Sequence, residues 1–149
     1  MDRDWWKKAS GTMTHGHKEY DEQVAKYNKD TLVIVDFFMP QCGYCVKFMP
    51  DWNRVVEDMK AELGDKIQFL KVDGTSDRHT ADRYDIESFP SFVALVPGTN
   101  GDEWVEWHPV ARNYANMKKW IKALLGKFNI KAAGAPNEGK EVEKAAQQL

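Results

Sequence analysis

Cysteine is scarce in this chain: 149 residues contain two, Cys42 and Cys45. A disulfide framework needs several bridges spread along the sequence, so stability has to come from a buried core. Apolar runs are short as well. None approaches the roughly 20 residues that span a bilayer, and the opening MDRDWWKK is too polar for the apolar stretch of a secretory leader. No membrane partner is expected. Charge of one sign is not in excess either, since the formal net charge is -2. Such a balance creates no field that attracts nucleic acid, which is discounted as a partner. No internal repeat is visible, and the length fits one domain with short extensions.

Aromatic residues are plentiful, with six tryptophans, five tyrosines and seven phenylalanines to fill a core. Residues 1–16 are polar apart from Trp5 and Trp6 and read as an N-terminal arm. Tyr20, Val24 and Tyr27 recur at helical spacing, which predicts a helix over His17 to Asn28. Thr31 to Phe38 (TLVIVDFF) is a continuous apolar run of strand length, as in strands covered on both faces. Phe48, Trp52, Val55, Val56, Met59 and Leu63 then mark an amphipathic helix, with Pro50 inside it and Gly64 at its end. Ile67 to Val72 reads as a second strand, followed by a short helix through Tyr84 that Thr75, Ser76 or Asp77 would cap. Phe92 to Val96 and Trp104 to Trp107 flank a turn of Pro97, Gly98, Asn100 and Gly101, and Met117 to Phe128 closes the domain as a helix. The domain thus spans 17–128, and 129–149, rich in Ala, Glu and Lys, reads as a mobile tail. This order predicts an α/β fold with a mixed sheet between helices.

A C-x-x-C pair serves zinc as readily as redox chemistry until its surroundings are considered. His15, His17, His79 and His108 supply no spacing for a second half-site, which favours redox and leaves the metal ligands at none. Cys42 stands where a buried strand hands over to a helix, a place that should expose its sulfur. Free backbone N–H groups and the positive end of the helix dipole favour a thiolate there, which makes Cys42 the attacking group. Cys45, one turn later, is placed to resolve a mixed disulfide. Gly43 leaves the turn uncluttered, and Tyr44 offers an uncharged ring.

From His17 to Phe128 the sequence resembles the thioredoxin superfamily. VDFFMPQCGYCVKFMP is similar to the family's active-site strand and helix, with Asp36 and Pro50 in their places. FLKVDGTSDRHTADRYDIESFPSF resembles the downstream stretch that ends at a proline before the next strand. The resemblance implies that Pro90 is the cis-proline facing the cysteines, flanked by Phe89 and Ser91, with backbone groups free to pair with an extended substrate. Met39-Pro40 and the spacing from Arg112 to Trp120 look most like the catalytic (a-type) domains of protein disulfide isomerases. In that branch an arginine matching Arg112 swings toward the second cysteine. Three departures stand out: Gln41 replaces the usual tryptophan on the contact surface, Gly-Tyr separates the cysteines, and no clear first strand precedes the first helix. The thioredoxin-fold sheet is therefore expected to have four strands, or five with one taken from the arm.

Asp36 lies in an apolar strand, where burial raises a carboxyl's pKa and equips it to deprotonate Cys45. The expected activity is thiol–disulfide oxidoreduction on protein disulfides, with no cofactor beyond the redox-active Cys42–Cys45 disulfide. Partners would be protein substrates with thiols or disulfides and a protein that supplies reductant or oxidant. The alternative is a thioredoxin-like interaction subunit of a larger assembly, held through Trp5, Trp6 or the tail. Trp52, Trp104, Trp107 and Trp120 are assigned to the core. The isomerase-like wording favours the endoplasmic reticulum and secretory pathway, with the cytoplasm as the alternative.

Overall fold

The computed structural model describes residues 4–131. A five-stranded sheet forms its middle layer, in the order β1-β3-β2-β4-β5. The strands are β1 (Thr12–Thr14), β2 (Leu32–Phe38), β3 (Ile67–Asp73), β4 (Ser91–Leu95) and β5 (Trp104–Glu106). The helices are α1 (Trp5–Lys8), α2 (His17–Tyr27), α3 (Gly43–Leu63), α4 (Arg78–Arg83) and α5 (Tyr114–Lys127). β1, β3 and β2 run parallel, while β4 and β5 run antiparallel to their neighbours. This is the thioredoxin fold.

Every residue of β2 is buried, as its unbroken apolar run requires. Side chains alternate across it, so Val33, Val35 and Phe37 pack with Tyr20, Val24 and Tyr84. Leu32, Ile34 and Phe38 pack on the opposite layer with Trp52, Met59, Met117 and Ile121. Helix ends follow local chemistry. Asp77 accepts from the Thr80 N–H at 3.1 Å to start α4, and Asn113 accepts from the Asn116 N–H at 2.9 Å to start α5. α3 runs unbroken through Pro50.

The segment read as an arm supplies the fifth strand. Thr12, Met13 and Thr14 pair with Leu70, Lys71 and Val72 of β3. Gly11 makes this possible: its φ is 103°, and a β-carbon there would stand 3.2 Å from the Phe69 carbonyl oxygen. Trp5 is 5% exposed and docks into the domain itself. Trp104 departs from the core assignment and lies 38% exposed on edge strand β5. The tail beyond residue 131 lies outside the described residues. Among the described residues no helix is long and apolar enough to cross a membrane.

Candidate active site

Buried β2 ends at Phe38, and the turn Met39–Gln41 delivers the chain to α3 with Cys42 as the N-cap. An N-cap side chain ordinarily accepts from a free N–H of the first turn, and here the Cys42 sulfur does so, from the Cys45 N–H at 3.1 Å. The Cys42 thiol in turn faces the Phe89 carbonyl at 3.5 Å, its S–H donating. These two contacts correct the expectation of an exposed sulfur. Cys42 is 5% exposed, because its short side chain folds back over the helix end toward Phe89. Its neighbours Gln41, Gly43 and Tyr44 are exposed, Tyr44 at 71%, and ring the sulfur with accessible surface.

Cys45 lies deeper, and burial, followed by its hydrogen bond with Cys42, pushes its thiol well above the ordinary range. Behind it a small cavity is lined by Asp36, Cys45, Pro90, Trp5, Phe48 and Trp52. Asp36 shares the face of β2 that carries Ile34 and Phe38. Burial raises its carboxyl to about 7, opposed by the charges of Lys71 and Arg112. Its Oδ1 has no hydrogen-bond partner. The Phe89–Pro90 bond is cis; the Phe89 carbonyl faces Cys42, and Pro90 lines the cavity with Cys45. Arg112 is exposed on the loop before α5, beside a groove it shares with Pro90, Ser91 and His108. It reaches Asp36 through its charge rather than by contact.

Thus Cys42, Cys45, Asp36, Phe89 and Pro90 converge, Arg112 acts from a distance, and Gln41, Gly43 and Tyr44 form the rim. Three further residues at the site were given no part in its chemistry by the sequence: Lys71, Trp5 and Gly74. Lys71 stands in FLKVD, where a lysine inside an apolar strand is itself a signal. Gly74 follows that strand, and the Phe89 ring occupies the space of its missing side chain: a β-carbon would lie 2.3 Å from Phe89 Cε1. Among the described residues no group of three or more His, Cys, Asp or Glu is placed to hold a metal.

A dithiol at the mouth of a helix in this sheet defines a protein of the thioredoxin class, an arrangement able to support thiol–disulfide exchange. The family model described as thioredoxin matches residues 11–123, and the chain belongs to that family. It is 31% identical to thioredoxin of Bacillus subtilis over 81 residues, covering 54% of this chain and 74% of that protein. It is also 31% identical to protein disulfide-isomerase A4 of Bos taurus over 96 residues, covering 64% of this chain but only 14% of that protein. Among solved structures, the first thioredoxin domain of mouse protein disulfide-isomerase A4 superposes with a TM-score of 0.62 at 21% identity, over 75% of this chain and 73% of that one.

Proposed function

We propose that this chain exchanges disulfides with protein substrates in the manner of a disulfide-isomerase catalytic domain. The observation that carries the reading is the placement of Cys42 at the N-cap of α3, with Asp36 buried behind Cys45. In the reducing direction the Cys42 thiolate attacks one sulfur of a substrate disulfide. A mixed disulfide forms, and the other substrate sulfur leaves as a thiolate. The Cys45 N–H and the helix end face the Cys42 sulfur while it carries negative charge. Asp36 as carboxylate takes the Cys45 proton, and the Cys45 thiolate attacks Cys42. The Cys42–Cys45 disulfide closes, the second substrate thiolate is released, and two electrons have passed to the substrate. A protein donor or acceptor then resets the pair.

Gln41, Gly43, Tyr44 and Phe89 form the substrate surface in this reading, and Arg112 tunes the charge behind it. Support for the isomerase branch comes from the likeness to protein disulfide-isomerase A4, of which the chain spans a small fraction. The test is insulin reduction by the reduced protein. Turnover should be lost in Cys42→Ser, and a wild-type rate no higher than that of free dithiol would overturn the reading. A reduction potential near about -180 mV places the chain with isomerases, and one near about -270 mV with thioredoxins.

A further inference from the structure

Five hydrogen bonds tie the segment before β1 to the dithiol chamber. The Trp5 indole Nε1 donates to the Pro40 carbonyl at 2.9 Å, in the turn that leads to Cys42. The Trp52 indole donates to the Ser10 carbonyl at 2.7 Å, and the Ser10 N–H donates to Asn53 Oδ1 at 2.7 Å. Lys71 Nζ supplies the remaining two, donating to the carbonyls of Trp6 at 2.8 Å and Ala9 at 2.6 Å. Trp5 also packs edge-on against Phe38, with ring centroids 5.5 Å apart, and it walls the cavity that holds Asp36 and Cys45.

The Lys71 contacts have a chemical consequence. Lys71 is the partner of Asp36 in the parallel ladder, so both side chains leave the sheet on the same face. Lys71 is 3% exposed and Asp36 is 7% exposed. A buried ammonium next to a buried carboxyl is expected to pair with it, because isolated charges in apolar surroundings are strongly disfavoured. Yet among the described residues no ion pair joins them, and Asp36 Oδ1 is unpartnered. Two of the three ammonium hydrogens are instead taken by carbonyls of the N-terminal segment.

We propose that α1 and its C-cap are a working part of the dithiol site: the carbonyls of Trp6 and Ala9 hold the Lys71 ammonium off Asp36, leaving the carboxyl free to carry a proton beside Cys45, and Trp5 fastens α1 in place. Trp5 and Lys71 are positioning residues that act through Asp36. Charged or titratable groups facing Asp36 are Cys45 from α3, Lys71 from β3 and Arg112 from the loop before α5. On α1 itself Lys7 and Lys8 are exposed, so its influence runs through backbone carbonyls. The importance of this arrangement rests on Asp36 acting as proton acceptor, but its test reads the carboxyl directly.

The experiment is a carboxyl carbon NMR titration of Asp36 in the reduced full chain, with the signal assigned by its loss in Asp36→Asn. Trp5→Ala should release Lys71 toward Asp36 and lower the Asp36 midpoint by about one pH unit, a tenfold change in ionisation. Lys71→Met should raise it, and the double variant should titrate like Lys71→Met alone. An equal fall caused by Trp5→Ala in the Lys71→Met background would mean solvent entry and overturn the proposal. Absence of any fall in the single variant would overturn it too. Should Trp5→Ala not fold, Trp5→Phe, which keeps a ring while losing the bond to Pro40 and part of the indole's bulk, is read in the same cycle by the same outcomes. If the cycle holds while Asp36→Asn leaves insulin reduction unchanged, the role of Asp36 falls and the control of its charge by α1 stands.

Discussion

Asp36 and Lys71 face each other across the β2–β3 ladder without an ion pair, because the lysine donates to the carbonyls of Trp6 and Ala9 instead. The buried acid is left partly compensated. Burial pushes its carboxyl up to about 7 from near 3.8, and that displacement ties stability and exchange to the same proton.

Between these two pH values the folded chain keeps a proton on Asp36 that the unfolded chain has released. Stability therefore falls as pH rises from about 4 to about 7 and levels off above. Asp36→Asn cannot ionise and escapes this loss. At about 1.4 kcal/mol per pH unit, the variant should gain on the order of 4 kcal/mol over the wild type at pH 8 and almost nothing at pH 4. Urea unfolding at the two pH values checks this. Release of the mixed disulfide should slow in the same variant, whereas in the wild type it should quicken as pH passes about 7. Arg112→Ala removes a charge that lowers the Asp36 pKa, so the step in the rate profile should move to higher pH.

Gly74 and Phe89 make a second pair whose fit can be measured. Gly74 has an ordinary φ, so its backbone accepts alanine, and the obstacle is the Phe89 ring 2.3 Å from the new β-carbon. Gly74→Ala should cost about 1–3 kcal/mol by overpacking and should move the Phe89 carbonyl away from the Cys42 sulfur, changing the exchange rate. Gly74→Ala with Phe89→Ala should recover more stability than independent effects would allow. Thermal unfolding and alkylation of Cys42, measured on all three variants, give the comparison.

Tyr44 is 71% exposed and makes little packing contact. Tyr44→His should leave stability within about 0.5 kcal/mol. The imidazole, where protonated, is a cation beside Cys42 that stabilises the thiolate of the reduced form, so below about pH 6.5 the reduction potential should rise by a few tens of millivolts, about 30 mV for each 1.4 kcal/mol. A glutathione redox titration reads the shift, and a fall would contradict the assignment of Tyr44 to the sulfur's surroundings.

The sequence made the centre of the molecule legible and its edge obscure, for different reasons. β2 and α3 declare themselves because each satisfies its whole burial pattern with its own residues: an unbroken apolar run in one, a helical stripe in the other. β1 is three residues of Thr-Met-Thr, too short for any period to emerge, and it exists because β3 offers an edge and Gly11 permits the close approach. Asp36 could be found as an acid in apolar company. That Lys71 is held by carbonyls 62 and 65 residues away could not, since backbone acceptors carry no side-chain identity to read. The recess of Cys42 was hidden for a related reason, because it depends on where the Phe89 carbonyl arrives from a distant loop.

The two layers of β2 differ by the parity of a single position. One residue inserted or removed ahead of Asp36 within the strand would send its carboxyl out among Tyr20, Val24 and Tyr84 and aim an apolar side chain at Cys45. The sheet would survive such a slip better than the chemistry, so a homologue with an indel there should be sought among folded proteins that cannot turn over disulfides.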